Sequence, residues 1–144
     1  MKIREMTIDD YEAVLTLMRT TPGVRVRDAD SRDAVARYLE RNPGLSFVAL
    51  SPDNVLIGCI VCGHDGRRGY PQHLVVNESA RRHGVGTALV DRCLDALKTV
   101  GIFKVHIHVL VSNQTAIDYW QRRGWLRRDD IHVFSFINAD NPNV

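Results

Sequence analysis

The fold is organised around residues 73–90, whose sequence is His-Leu-Val-Val-Asn-Glu-Ser-Ala-Arg-Arg-His-Gly-Val-Gly-Thr-Ala-Leu-Val. An apolar run, Leu74 to Val76, is followed by turn-forming residues and then by apolar residues at helical spacing that continue to Val100. Charged and polar residues lie between those apolar positions. The pattern predicts a strand, a basic turn and a long amphipathic helix.

The start of this helix has an unusual charge distribution. Arg81, Arg82 and His83 precede it, where the helix dipole is already positive, and its first turn, Gly84-Val85-Gly86-Thr87, contains no Asp or Glu. An anion would offset this charge, because the backbone N–H groups of a first helical turn point outward and glycines let a ligand approach closely. We therefore interpret these residues as a phosphate or pyrophosphate site. A solvated basic loop whose glycines only permit tight packing is the alternative.

The composition indicates one globular domain over residues 1–144, with 44% hydrophobic and 25% charged residues. A net charge of +2 does not favour nucleic-acid binding, and no apolar run has the length of a membrane span. The N-terminus lacks the apolar stretch of a signal peptide, so we expect a cytoplasmic protein.

Cys59 and Cys62 form a C-x-x-C pair within a strand-like run. Residues three apart in a strand point to opposite faces, and no second Cys or His pair stands at zinc-binding spacing. We expect these cysteines to be buried core residues and expect no metal site.

The chain in order predicts the succession β-α-α-β-β-β-α-β-α-β. Thr7, with Asp10 three positions later, Asp30 or Ser31, and Asn113 are the expected helix N-caps, and Gly101 and Gly124 are the expected stops. The predicted strands are 2–6, 45–50, 55–62, 70–76, 104–111 and a final pair, 125–128 and 131–138. The helices apart from the central one are expected within 7–21 and over 32–41 and 114–123.

Two motifs resemble those of the GNAT family of N-acetyltransferases. Arg81-x-x-Gly84-x-Gly86 resembles the family's acetyl-CoA signature, Gln/Arg-x-x-Gly-x-Gly/Ala, whereas a dinucleotide fingerprint would need glycine at Leu89. The run Asn113-x-x-Ala-x-x-Tyr-Trp-x-x-x-Gly-Trp125 resembles the family's Asn-x-x-Ala-x-x-Phe-Tyr-x-x-x-Gly-Phe. The element order is similar over essentially the full length, and the chain resembles members such as the ribosomal-protein alanine N-acetyltransferases.

The resemblance implies an α/β fold of the α+β kind: a mixed, mostly antiparallel sheet of six to seven strands with four helices. The fourth and fifth strands would splay apart to admit the pantetheine arm of acetyl-CoA. The backbone of Leu74, Val75 and Val76 would pair with that arm, and a strand N–H near Val75 would face the thioester oxygen and stabilise its developing charge. The remaining cofactor-binding residues would be Arg81, Arg82, His83, Gly84, Val85, Gly86, Thr87, Asn113 and Trp120.

The resemblance also indicates candidate catalytic residues. Counted from Asn113, the base position of the ribosomal-protein alanine N-acetyltransferases is occupied by His108, and a histidine titrates near neutral pH. His106 and His73 are alternative bases, and each histidine also suits a structural role. Where most relatives carry a tyrosine acid, this chain has Trp120, so Tyr119 is the remaining candidate acid unless it is a core residue. A thiol with a pKa of about 8.5 can also leave unprotonated.

The sequence thus predicts an acetyl-CoA-dependent enzyme that acetylates a primary amine by direct attack in a ternary complex. The acceptor would be an amine-bearing small molecule or a protein N-terminus or lysine, read by charged loop residues such as Asp30, unless those are merely solvated. A non-catalytic acyl-CoA-binding regulatory domain and an unrelated nucleotide-binding module are the alternatives. A homodimer through Phe134 or Phe136 is compatible with the final strand pair.

Overall fold

The computed structural model describes all residues, 1–144, and contains four strands and four α-helices. In chain order they are β1 (Lys2–Glu5), α1 (Tyr11–Thr20), α2 (Arg32–Arg41), β2 (Phe47–Leu50), β3 (Leu56–His64), β4 (Gly69–Val76), α3 (Val85–Thr99) and α4 (Gln114–Arg122). The chain divides into two compact units, Met1–His106 and Ile107–Val144. None of the helices combines the length and apolar character needed to cross a membrane.

In the first unit, the four strands form one antiparallel sheet in the order β1-β2-β3-β4. Helix α1 packs on one face, where its apolar residues join a cluster that includes Cys59, Val61 and Val75. Helix α3 packs on the opposite face, where a Cβ on Gly58 would lie 3.2 Å from side-chain atoms of Val85 and Leu89. The absence of a side chain at Gly58 therefore lets α3 approach the sheet.

The three cysteines are free and buried, as expected of core residues. Cys59 lies on the α1 face, and burial raises the pKa of its thiol to about 12. The Cys62 thiol donates to the Gly63 carbonyl at 3.6 Å and lies beside the Cys93 thiol of α3. Cys59 and Cys62 thus occupy opposite faces of the sheet, which confirms the prediction from strand periodicity.

The structure has four of the six to seven strands that were expected. Residues 104–111 do not form a full strand: only Val105 is bridged, in parallel, to Gly69 at the start of β4. The expected final pair, 125–128 and 131–138, contains no strand, and Phe134 and Phe136 are 94% and 89% exposed. A strand-like pattern forms a strand only where a neighbouring strand completes its hydrogen bonds, and apart from the bridge at Val105 these segments have none.

Candidate functional site

The turn between β4 and α3 has the backbone shape of an anion cradle. Arg82 and Gly84 both adopt left-handed conformations, with φ of 66° and 77°. The first hydrogen bond of the α3 ladder runs from the Ala88 N–H to the Gly84 carbonyl at 3.0 Å, so the N–H groups of Val85 and Gly86 precede that ladder. The first turn has no acidic residue, and a Cβ on Gly84 would meet nothing within 4 Å. The cradle, residues 81–87, is therefore open to a ligand.

The basic side chains of the cradle differ in their contacts. The Arg81 Nε atom donates to the Val76 carbonyl at 3.2 Å, which ties the turn to the end of β4. Arg82 and His83 are exposed. Positive charge therefore faces solvent in front of the helix N-terminus, where the helix dipole reinforces it.

The outer edge of β4 lies next to this cradle. The Asn77 N–H donates to the Ile57 carbonyl at 2.8 Å, and in an antiparallel pair alternate residues face the neighbouring strand, so the backbone of Val75 faces β3. The backbone groups of Leu74 and Val76 consequently face the outer edge. Within residues 1–106, that edge bonds another strand segment only at Gly69, through the Lys104 carbonyl and the His106 N–H. Leu74 and Val76 therefore present backbone groups on the outer edge, whereas the Val75 backbone, which was also expected to pair with a ligand, is bonded to β3 instead.

A β-bulge interrupts β4 beside this edge. Val61 is opposite His73 and Cys62 is opposite Pro71, which leaves Gln72 as the extra residue. Bulges redirect side chains and are frequent next to active sites.

The His73 side chain is hydrogen-bonded to Asp30 in the loop between α1 and α2. The His73 Nε2 atom lies 3.0 Å from Asp30 Oδ1, and the two side chains are only 24% and 13% exposed. The other carboxylate oxygen of Asp30 accepts the Arg27 N–H at 2.9 Å, and its carbonyl accepts the Tyr11 hydroxyl at 2.7 Å. The sequence indicates the two residues only separately, His73 as an alternative base and Asp30 as a charged loop residue. Their pairing had no sequence signal, because 43 positions separate them.

His106, the other candidate base in the first unit, has different neighbours. Its ring centroid lies 5.8 Å from that of Tyr70, and the two rings are tilted by 33°. The structure therefore gives His73 a carboxylate partner and His106 an aromatic one.

The second unit contains the remaining predicted site residues. His108 is exposed, and the Asn113 side chain caps α4 by accepting the Ala116 N–H at 3.1 Å. Tyr119 and Trp120 are half-buried and contact edge to face at 5.1 Å, and the Trp120 ring lies 4.6 Å from Trp125. Asn113 thus has a structural role as a cap, and Trp120 joins two other aromatic rings of α4 and its C-terminal end.

Comparison with known proteins agrees with this architecture. A family model described as the Acetyltransferase (GNAT) family matches residues 9–125. An acetyltransferase of Pectobacterium atrosepticum is 31% identical over 122 residues, 85% of each chain.

Solved structures give the same fold. The PaiA N-acetyltransferase from Thermoplasma acidophilum, in complex with coenzyme A, aligns with a TM-score of 0.73 at 18% identity, over 85% of this chain and 87% of that one. The ribosomal-protein-S18-alanine N-acetyltransferase from Escherichia coli aligns with a TM-score of 0.71 at 19% identity, over 85% and 76%. With its family model matched over most of its length, this chain belongs to the GNAT family of acetyltransferases.

Proposed function

We propose that this protein transfers the acetyl group of acetyl-CoA to a primary amine, by direct attack of the amine in a ternary complex. The observation that carries the proposal is the open cradle at the start of α3, adjoining the free outer edge of β4, in a member of an acetyltransferase family.

The cradle suits the pyrophosphate of acetyl-CoA. Its left-handed residues, Arg82 and Gly84, turn the backbone so that N–H groups face outward, and the space at Gly84 leaves room for a phosphate. Arg82 would add positive charge from the solvent side, and the exposed His83 ring would add a hydrogen-bonding group. Thr87 completes the proposed set in the first turn of the helix.

The outer edge of β4 suits an extended amide chain such as the pantetheine arm. Leu74 offers an N–H and a carbonyl on that edge, and Val76 offers an N–H, since its carbonyl is bonded to Arg81. One of these N–H groups would donate to the thioester oxygen and stabilise the charge that develops on it. When bound, acetyl-CoA supplies the activated acyl group, and the residues of this chain bind and orient it.

The transfer also needs proton acceptors and donors. The attacking amine must be neutral, so a base must take its proton. The resemblance implies His108 as the base and Tyr119 as the acid, and His73 and His106 are the alternative bases. If Tyr119 does not serve, the thiol can leave as a thiolate, because its pKa of about 8.5 is tolerable for a leaving group.

A second candidate function is acyl-CoA binding without turnover. Trp120 favours this function. It occupies the position where most relatives carry tyrosine, and its indole N–H does not act as a proton donor at neutral pH. Binding of acetyl-CoA without transfer to any amine would identify this function.

Thermal unfolding with acetyl-CoA, with ATP and NAD as controls, tests the cofactor assignment. A ligand present at a hundredfold excess over its dissociation constant stabilises the folded state by about 2.7 kcal/mol, which corresponds to a rise of several degrees for a domain of this size. Thiol release would then be followed with a panel of amines: a peptide with N-terminal alanine, an N-blocked lysine peptide, a free amino acid, spermidine and an aminoglycoside. A rise with ATP or NAD that exceeds the rise with acetyl-CoA would contradict the proposal.

Gly84→Glu tests the cradle itself. The substitution places a carboxylate where the pyrophosphate is expected, and we expect calorimetric titration to show no coenzyme A binding. Gly101→Glu is the matched control at the other end of the same helix, since Gly101 also has a positive φ, 84°, and open space around its Cβ position. Both variants carry similar backbone strain, so only loss of affinity confined to Gly84→Glu supports the cradle. Unchanged affinity in Gly84→Glu would remove the assignment.

A further inference from the structure

We propose that His73, held by Asp30, is the base that takes the proton from the acceptor amine, and that Asp30 is its positioning residue. This inference rests on the proposed acetyl transfer and assigns the base of that reaction to the first unit. The contact that carries it is the 3.0 Å pair between His73 Nε2 and Asp30 Oδ1.

The pair fixes which ring nitrogen is available. Carboxylate oxygens accept hydrogen bonds, so the neutral imidazole donates its proton from Nε2 to Asp30 and leaves Nδ1 with a free lone pair. The Arg27 N–H, at 2.9 Å from Oδ2, holds the carboxylate in place. This is the usual arrangement of a base that is oriented by a third group.

The position of His73 along β4 places it at the proposed reaction centre. It follows the bulged residue Gln72 and immediately precedes Leu74, whose backbone faces the outer edge. Its side chain lies on the same face as Val61 and Val75, so an amine would reach it from the side of the α1–α2 loop. With 24% of its side chain exposed, His73 is shielded yet accessible.

Charged and polar groups adjoin Asp30 in its own loop and through Tyr11. The Tyr11 hydroxyl donates to the Asp30 carbonyl at 2.7 Å, and the Arg32 guanidinium lies 5.9 Å from the Tyr11 ring. Arg27 and Asp28 precede Asp30 in the same loop, and the β3 residue opposite His73 is the uncharged Val61. Of these groups, the Asp30 carboxylate is the one that contacts the imidazole, at 3.0 Å.

The proposed reaction removes two protons from the acceptor ammonium. An acceptor ammonium gives one proton to His73 Nδ1, and the freed lone pair of the amine forms the C–N bond with the thioester carbonyl carbon. The C–S bond breaks, and its electron pair leaves on sulfur. The nitrogen loses its second proton as the amide forms. One of the two protons ends on the thiolate and the other in solvent, which restores neutral His73.

His73→Gln tests the proton transfer separately from the hydrogen bond to Asp30. A glutamine amide can still donate to Asp30 but cannot take a proton. Using the panel amine that turns over fastest, we expect kcat/KM near neutral pH to fall by about 10²–10⁴-fold, with a smaller loss at high pH where free amine is abundant. Asp30→Asn should lower kcat/KM by about 10–100-fold. Both variants should keep the acetyl-CoA thermal shift, and His132→Gln, an exposed histidine of the C-terminal segment, should keep wild-type kinetics.

Two results would overturn the assignment. One is a loss in His73→Gln that is equal at every pH, which would indicate a structural role. The other is wild-type activity in His73→Gln together with a pH-dependent loss in His108→Gln, which would return the role to His108.

The tautomer of His73, which the hydrogen bond to Asp30 should fix, can be measured without an acceptor. Imidazole nitrogen NMR shifts should show His73 as the Nε2–H tautomer, and Asp30→Asn should weaken that preference. An Nδ1–H tautomer in the wild type would refute the proposal. Absence of an acetyl-CoA thermal shift would instead count against the proposed function and leave the tautomer result to judge the pair.

Discussion

Asp10 links the first strand to the first helix through a two-pronged ion pair. Both Arg4 Nη atoms lie 2.8 Å from its carboxylate oxygens, and the Thr7 N–H donates to Oδ2 at 2.9 Å. The Arg4 hydrogen bond holds the pKa of Asp10 below its usual range, with a further contribution from the Thr7 N–H, against the opposing effect of burial. A carboxyl with a lowered folded-state pKa stabilises the fold above its unfolded pKa, and this contribution is lost as the pH falls through the folded pKa.

We therefore predict that Asp10→Asn lowers the free energy of unfolding at pH 7 by about 1–3 kcal/mol. Below about pH 4, where the unfolded carboxyl is largely protonated, the difference from wild type should shrink. Urea unfolding at pH 7 and pH 3 measures it, with the exposed neighbour Asp9→Asn as control. An equal loss at both pH values would show that the ion pair is not its source.

Residue-scale features were predictable where their cause was local. Ser31 caps α2 through the Ala34 N–H at 3.2 Å, and Gly101 adopts a left-handed conformation after α3, as their sequence positions indicate. Contacts across the chain were not predictable. The His73–Asp30 pair depends on how the α1–α2 loop packs on β4, which no short sequence pattern encodes.

At the scale of elements, Gly69 sets how closely α3 packs on the start of β4. A Cβ at this position would lie 2.8 Å from Leu97 Cδ1, and Leu97 is fully buried. We predict that Gly69→Ala destabilises the fold by about 1–3 kcal/mol through overpacking. Because Gly69 also bonds Lys104 and His106, the variant disturbs the point where β4 meets the next segment.

A double-mutant cycle identifies the cause. Leu97→Val removes the Cδ atoms, so Gly69→Ala should cost less in that background, with the coupling measured by denaturant unfolding. Gly69 is not among the glycines with a positive φ, so an alanine there adds no left-handed backbone strain. Strictly additive losses from Gly69→Ala and Leu97→Val would exclude the proposed overlap.

The order of elements was largely predictable because helices and hairpins carry local periodicity. Helix α2 spans Arg32–Arg41, as its pattern and caps indicated, and β3 and β4 closely match the predicted strands 55–62 and 70–76. The strands predicted after α3 do not form, and the reason is non-local. Residues 104–111 are strongly β-branched, yet a strand also needs a hydrogen-bonded neighbour, and only Val105 has one.

At the scale of the whole molecule, the C-terminal segment is the least buried part of the chain. Between residues 125 and 138, large apolar side chains are more than half exposed at five positions, Leu126, Ile131, Val133, Phe134 and Phe136. Apolar residues with strand spacing and no partner strand favour association with another chain. A second copy of this chain is the partner we expect, so the homodimer remains a prediction.

Sedimentation velocity over a range of concentrations tests it. We expect the wild type to dimerise and the double variant Phe134→Ser with Phe136→Ser to be monomeric, because it removes two rings that are 94% and 89% exposed. Phe103→Ser removes a ring that is 78% exposed in the first unit and should leave the dimer intact. A wild type that stays monomeric would refute the homodimer. Equal dissociation of both variants would show that general surface hydrophobicity, not this segment, drives association.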